Sequence, residues 1–242
     1  MARLLGVALI VCICVGCGRY FPGPVTPMSE DRQEPTAVIR DDGSVLFNIN
    51  RLEIALKPMS DEELNRQFPS KSQNPAHSPN PFTYGDWKPV GDTYTPQKYT
   101  VFLLMVKNYE YPKVHVDPIR LELISHQAHR RYDPLPLINI LEYYYSLAQG
   151  YSGRNYFLFQ SRRDLLIRSL YSDEVVFSSQ EKMGYVLFPA LPPDVREFEV
   201  HVRDITLRFD FKDSPVETAD LVFRFEREVL NGYHPPERLG QG

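Results

Sequence analysis

The strongest constraint on this chain is a two-residue hydrophobic period that recurs along its length. Phe198, Val200 and Val202 alternate with Glu199, His201 and Arg203. Ile205, Leu207, Phe209 and Phe211 alternate with Thr206, Arg208 and Asp210, and Leu221, Phe223 and Phe225 with Val222, Arg224 and Glu226. Successive strand side chains point to opposite faces, so each stretch reads as a strand with one dry and one wet face. Lys212, Asp213, Ser214 and Pro215 form a turn between the last two. Arg208, Asp210, Arg224 and Glu226 are then expected to share a wet face as cross-strand charge pairs. Earlier strands are predicted at 44–49, 52–57, 99–107, 119–125 and 184–188. Many short strands separated by Pro, Asn and Asp turns predict a mainly β chain, an antiparallel immunoglobulin-like β-sandwich.

One strand breaks the alternation. Thr100 to Val106 is apolar on both faces, and a sandwich strand ordinarily wets one of them, so another element must cover it. The cover is predicted at residues 136–172, a two-helix insertion packed on one sheet. Leu137–Gln149 and Asn155–Tyr171 have helical spacing, with Tyr156, Phe159, Leu166 and Leu170 recurring every three to four residues, and Gly150 to Gly153 separate the two helices. A short helix is also expected after Ser60, where Ser60 and Glu63 have capping-box spacing. Residues 69–96 are a long Pro/Asn/Ser-rich loop, a length usual for functional or mobile segments.

The chain opens with Arg3, an apolar run from Leu4 to Val15, then Gly16 and Cys17. That run is shorter than the ~20 residues a membrane-spanning helix needs and fits a secretory leader. A small residue before cysteine at the end of such a leader resembles the lipobox of bacterial lipoproteins, with Cys14 standing where that family usually has Leu. The resemblance implies cleavage before Cys17 and a diacylglycerol on its thiol. It also implies a cell-envelope address. Gly18 in place of an Asp retention signal implies the outer membrane if the organism is didermal. Residues 1–16 are then a signal peptide, 17–36 a lipidated cysteine and flexible tether, 37–230 the sandwich, and 231–242 a disordered tail. Cys12, Cys14 and Cys17 are the chain's three cysteines. Loss of the leader and lipidation of Cys17 would leave no thiol for catalysis, disulfides or metal ligation.

The leader holds one of the 27 basic residues and none of the 31 acidic ones, so the remainder carries about −5. Without a basic block there is no electrostatic footprint for nucleic acid. Membrane attachment would come from the lipid itself, and multiple acyl chains make such an anchor stable.

The C-terminal half carries a second resemblance. Ser178 to Glu181 lead into Gly184-Tyr185-Val186-Leu187-Phe188-Pro189, and a long apolar strand ends at Asn108. This pattern resembles telokin-like, immunoglobulin-fold domains of exported bacterial lipoproteins over residues 97–135 and 174–227. It implies a binding or scaffolding sandwich and brings no catalytic residues. The helical insertion departs from the pattern.

No nucleophile elbow, P-loop, zinc-protease or dinucleotide motif occurs. His126 and His129 lack a third ligand at metal-binding spacing, and Glu62 and Glu63 read as residues of a helix's first turn. No cofactor or metal is therefore expected. The candidate binding residues are aromatic and basic: Tyr143, Tyr144, Tyr145, Tyr151 and Arg154 of the insertion, and Trp87 of the long loop. One reading of these aromatic residues is a cover for the 100–106 strand; the other is a partner surface, because three consecutive tyrosines on a helix point in different directions, not all can be buried, and tyrosine is enriched at binding hot spots. Arg162, Arg163 and Arg168 are expected on a solvated face. The sequence thus predicts a lipid-anchored envelope protein acting as a non-catalytic binding or assembly module, with an envelope protein as partner. The alternative is an envelope hydrolase or carbohydrate-active enzyme.

Overall fold

The computed structural model describes residues 19–72, 74–127, 129–150 and 155–232. The signal segment and Cys17, the insertion residues Tyr151 and Arg154, and the end of the chain from residue 233 lie outside the described residues.

Alternation produces two five-stranded antiparallel sheets. The first has the order β1 (Arg19–Pro27), β12 (Pro215–Gly232), β11 (Glu197–Phe209), β7 (Leu121–Ser125) and β8 (Arg131–Tyr132). The second has the order β10 (Gln180–Pro189), β5 (Tyr99–Asn108), β4 (Leu52–Met59), β3 (Val45–Ile49) and β2 (Ala37–Ile39). A small ribbon joins β6 (Lys113–Val114) to β9 (Val176–Phe177). The inner faces enclose one core, in which Phe102 meets Phe188, Phe198 and Phe225 at ring separations of 6.0, 6.4 and 5.0 Å. The fold is the expected antiparallel sandwich with a helical insertion.

The insertion covers the strand that required it. Helices α2 (Leu137–Gly150) and α3 (Tyr156–Ser169) lie against the outer face of β5 and β10. Val101, Tyr185 and Leu187 of the sheet, Ile140, Tyr144 and Ala148 of α2, and Phe159 and Leu166 of α3 form a second core there. Helix α1 (Asp61–Gln67) and Phe82 of the long loop close it. The capping box forms as expected: the Glu63 backbone N–H donates to the Ser60 hydroxyl at 3.2 Å, and the Ser60 N–H to the Glu63 carboxylate at 3.1 Å.

Three expectations are corrected. Residues 19–27, expected to be part of a tether, are an edge strand: Phe21 pairs with Leu230, is buried, and meets the Tyr94 ring edge-on at 5.5 Å. Proline is tolerated on a sheet edge, and a register shift between Pro22 and Val25 accommodates Pro22 and Pro24. The sandwich therefore extends beyond 37–230 at both ends, with Asn231 and Gly232 also in β12. The expected wet-face pairing is also shifted. The stretches 198–203 and 205–209 form one strand with an irregularity at Asp204, whose φ is 55°. Arg224 consequently lies opposite Glu199, bonding it at 2.9 Å, while Arg208 pairs with Glu217.

Close packing in the middle of β10 explains why position 184 carries no side chain. After α3 the chain runs beside β10, and the Tyr171 N–H donates to the Tyr185 carbonyl at 3.0 Å. A methyl group on Gly184 would overlap the backbone nitrogen and Cα of Tyr171. Gly184→Ala should destabilise the fold by about 1–3 kcal/mol, the usual cost of overpacking, measured by chemical denaturation. An unchanged midpoint would contradict this packing.

Candidate functional site

The long loop is not a loose excursion. Ser78, Asn80, Phe82 and Thr83 are buried, and polar bonds hold the segment to both neighbouring helices. The Asn80 amide donates to the Leu64 carbonyl at 3.2 Å, and the Thr83 hydroxyl donates to the Asn65 side-chain oxygen at 2.6 Å. Gly85 has a φ of 68°, and a Cβ there would collide with the Ser70 carbonyl, so the loop's close return on itself requires glycine. From α3, Arg162 reaches under the loop and donates to the Ser78 and Ala76 carbonyls at 2.9 and 2.8 Å. Arg162 is thus almost fully buried, in contrast to the solvated face expected for it.

Helical geometry separates the three tyrosines. Ile140, Tyr144 and Ala148 fall on the inward face of α2, leaving Tyr143 and Tyr145 nearly half exposed on either side. Tyr144, expected from the sequence to contact a partner, is 1% exposed and belongs to the second core. Its hydroxyl donates to the Pro81 carbonyl at 2.6 Å and accepts from the Lys98 ammonium. The Arg162 guanidinium lies 4.5 Å from the centre of the same ring. Tyr145 and Tyr156 flank Phe159 at 5.5 and 6.0 Å, and Phe157 beside them is 78% exposed. Trp87 is half-buried, with its ring edge-on to Tyr84 at 6.0 Å.

Lys98, which no spacing in the sequence singles out, is the centre of the arrangement. It stands just before β5 and is 8% exposed. Its nitrogen lies 4.6, 5.3, 5.5 and 5.7 Å from the ring centres of Tyr144, Tyr84, Tyr99 and Tyr143. These distances permit cation–π attraction, which grows as water is excluded. No carboxylate among the described residues forms an ion pair with it. Lys98 opens onto a cleft of about 350 Å³, bounded by Tyr84 of the long loop, Tyr99, Leu135, and Asn139, Ile140 and Tyr143 of α2. The loop and the insertion, expected as separate binding elements, therefore form two walls of one cleft.

Burial, and then the charge of Arg162, push Lys98 down to about 7, offset in part by Asp61. Burial drives the Asp61 carboxyl up to about 7, offset by Lys98. Part of the Asp61 residue stays exposed, and it lines a neighbouring cleft of about 570 Å³ between β1, α1 and the loop. Burial also raises Tyr84, Tyr99 and Tyr144, so their hydroxyls keep their protons as donors. No group of three His, Cys, Asp or Glu side chains among the described residues is placed to hold a metal ion. The site's chemistry is that of a cationic amine walled by phenol rings and hydroxyls.

Comparison with family models, curated proteins and solved structures finds no match to this chain.

A buried lysine lowered from 10.5 to about 7 opposes folding below pH 7, and this opposition fades as pH rises towards 10.5. In that window the unfolded chain binds the extra proton, so the Lys98 contribution makes stability rise with pH. Asp61 acts in the opposite sense below pH 7: the folded chain holds the extra proton between 3.8 and about 7, so stability falls across that range. Lys98→Met keeps the stem and deletes the charge. It should fold at least as stably as wild type at pH 7 and lose the alkaline rise, read from melting temperatures across pH. Parallel wild-type and variant curves would contradict the buried amine.

Proposed function

We propose that this protein is a lipid-anchored cell-envelope protein, on the outer membrane if the organism is didermal, that acts as a non-catalytic binding module. The observation that carries the reading is the cleft at Lys98, where Tyr84 of the long loop and Tyr143 of the insertion converge from segments far apart in sequence. Ligand sites are typically concave and largely apolar, with a few polar groups fixing orientation, which describes this cleft. Exposed Tyr145, Tyr156 and Phe157 extend an aromatic surface over the same two helices, as suits contact with an envelope protein.

The leader ending at Cys17 supports the anchor. The sandwich starts at Arg19, so Gly18 alone would separate the lipidated residue from strand β1. An anchor there would hold the β1 edge close to the bilayer. No helix among the described residues is long and apolar enough to cross a membrane.

The hydrolytic alternative draws on the displaced titrations of Asp61 and Lys98. These groups open on different clefts and make no hydrogen bond or ion pair with each other. An acid and a base acting on one bond must both reach it, so the binding reading is preferred.

Two experiments test the proposal. Cys17→Ser should abolish fatty-acid labelling and release the protein from the membrane fraction; persistent labelling would refute the anchor. A photo-crosslinking residue at position 143 should capture one dominant envelope component in cells. The same residue at Val216, exposed on β12, should not. Equal capture from both positions would refute the cleft as the binding site.

A further inference from the structure

We propose that the Lys98 cleft binds a small organic monoanion, a carboxylate attached to a ring or apolar body, with the carboxylate on the Lys98 ammonium. The inference rests on reading this cleft as the binding site and adds the class of ligand.

The charge around Tyr144 is unbalanced. Lys98 and Arg162 lie on Tyr144, and no carboxylate forms an ion pair with either among the described residues. Arg162 is occupied, because it donates to the Ser78 and Ala76 carbonyls beneath the loop. Lys98 has three N–H donors, of which Tyr144 takes one. The tyrosine rings offer electrostatic attraction but no lone pair aligned with the others, and the remaining donors belong to the wall of an open cleft. A buried charge gains most from an opposite charge that also accepts its hydrogen bonds.

The cleft's lining fixes the ligand's charge and shape. One available cation matches one negative charge. A dianionic phosphate would leave an excess negative charge against a largely apolar lining and within electrostatic reach of Asp61. Beside the amine, Tyr84, Tyr99 and Tyr143 present rings, and Leu135 and Ile140 add aliphatic surface. This lining suits a ring or apolar body behind the carboxylate, and about 350 Å³ lies at the small end of ligand-site volumes.

The groups around Lys98 set the pH dependence. Arg162 on α3 disfavours its protonation and Asp61 on α1 favours it. Tyr143 faces the amine as a ring, and burial raises Tyr84, Tyr99 and Tyr144, so those three hydroxyls stay neutral near pH 8. A bound carboxylate supplies the missing counter-charge and draws a proton onto the amine. Affinity should therefore be constant between about pH 5, where the ligand is still ionised, and pH 7, and fall about tenfold per pH unit above 7.

The test is isothermal titration of the purified full chain with acetate, phenylacetate, phenyl phosphate and the neutral isostere phenylacetamide. Each runs at pH 6 and pH 8 in two buffers of different ionisation enthalpy. Phenylacetate should bind more tightly than acetate and phenyl phosphate, with uptake approaching one proton at pH 8 and little at pH 6. Phenylacetamide should not bind, and Lys98→Met should lose phenylacetate binding. Equal binding of acid and amide, phenyl phosphate as the tighter ligand, affinity independent of pH, or no saturation by any acid would each overturn the proposal. The amide comparison uses wild-type protein and stands even if Lys98→Met misfolds. If position 143 captures an envelope component while no acid binds, the ligand class fails and the binding-site reading survives. If phenylacetate binds while position 143 captures nothing, the ligand class survives and the envelope-partner reading fails.

Discussion

Strand β5 is the member on which the rest of this structure depends, because its first half is packed on both faces, while Met105 and Lys107 further along stay partly exposed on the outer one. Phe102, Leu104 and Val106 fill the space between the sheets, while Val101 on the opposite face lies under the helices. Backbone pairing with β4 on one side and β10 on the other fixes its register along its length. Two cores therefore share one strand, and the insertion is a third layer of the domain. Lys98 directly precedes this strand, so the cleft inherits a rigid wall, as a site that must hold an ammonium in place requires.

The second core is chemically unlike the first. The sandwich interior is aliphatic and phenylalanine-rich, and the buried Arg227 of β12 donates to the Val195 and Leu191 carbonyls and lies on no tyrosine cluster among the described residues. The space under the helices encloses two cations, Lys98 and Arg162, around Tyr144, with backbone carbonyls and ring faces in the role carboxylates usually fill. Burying charge in this way costs free energy that aliphatic packing would spare. Such an expense at the junction of a loop, an insertion and a sheet is characteristic of sites kept for binding.

Much of this architecture was legible in the sequence, for definite physical reasons. Period-two alternation marked the sandwich strands, and the doubly apolar stretch 100–106 required a covering layer. Spacing placed two helices in that layer, and Ser60 with Glu63 marked the start of α1. What escaped notice lacked a periodic signal. Arg19–Pro27 carries four residues that read as punctuation, Pro22, Gly23, Pro24 and Pro27, and only its pairing with β12 reveals an edge strand. Asp204 holds a left-handed backbone inside a strand, which no alternation rule anticipates and which moved the cross-strand charge pairs. Of the predicted binding residues, Tyr143 lines the cleft and Trp87 abuts its Tyr84 wall, whereas Tyr144 turned inward with the helical repeat. Lys98 was invisible because its importance comes from tyrosines 14, 45 and 46 residues away. The excess of tyrosine near position 144 was the one trace of it.

The most direct test of this account is the titration of the lysine side-chain nitrogens by heteronuclear NMR in the folded protein. The account predicts one lysine, identified as Lys98 by its loss in Lys98→Met, that titrates near 7, well below the ordinary 10.5. A spectrum in which every lysine titrates at the ordinary value would mean that Lys98 is hydrated or already paired. The central claim, a buried and unpaired amine seated where loop, insertion and β5 meet, would then be wrong.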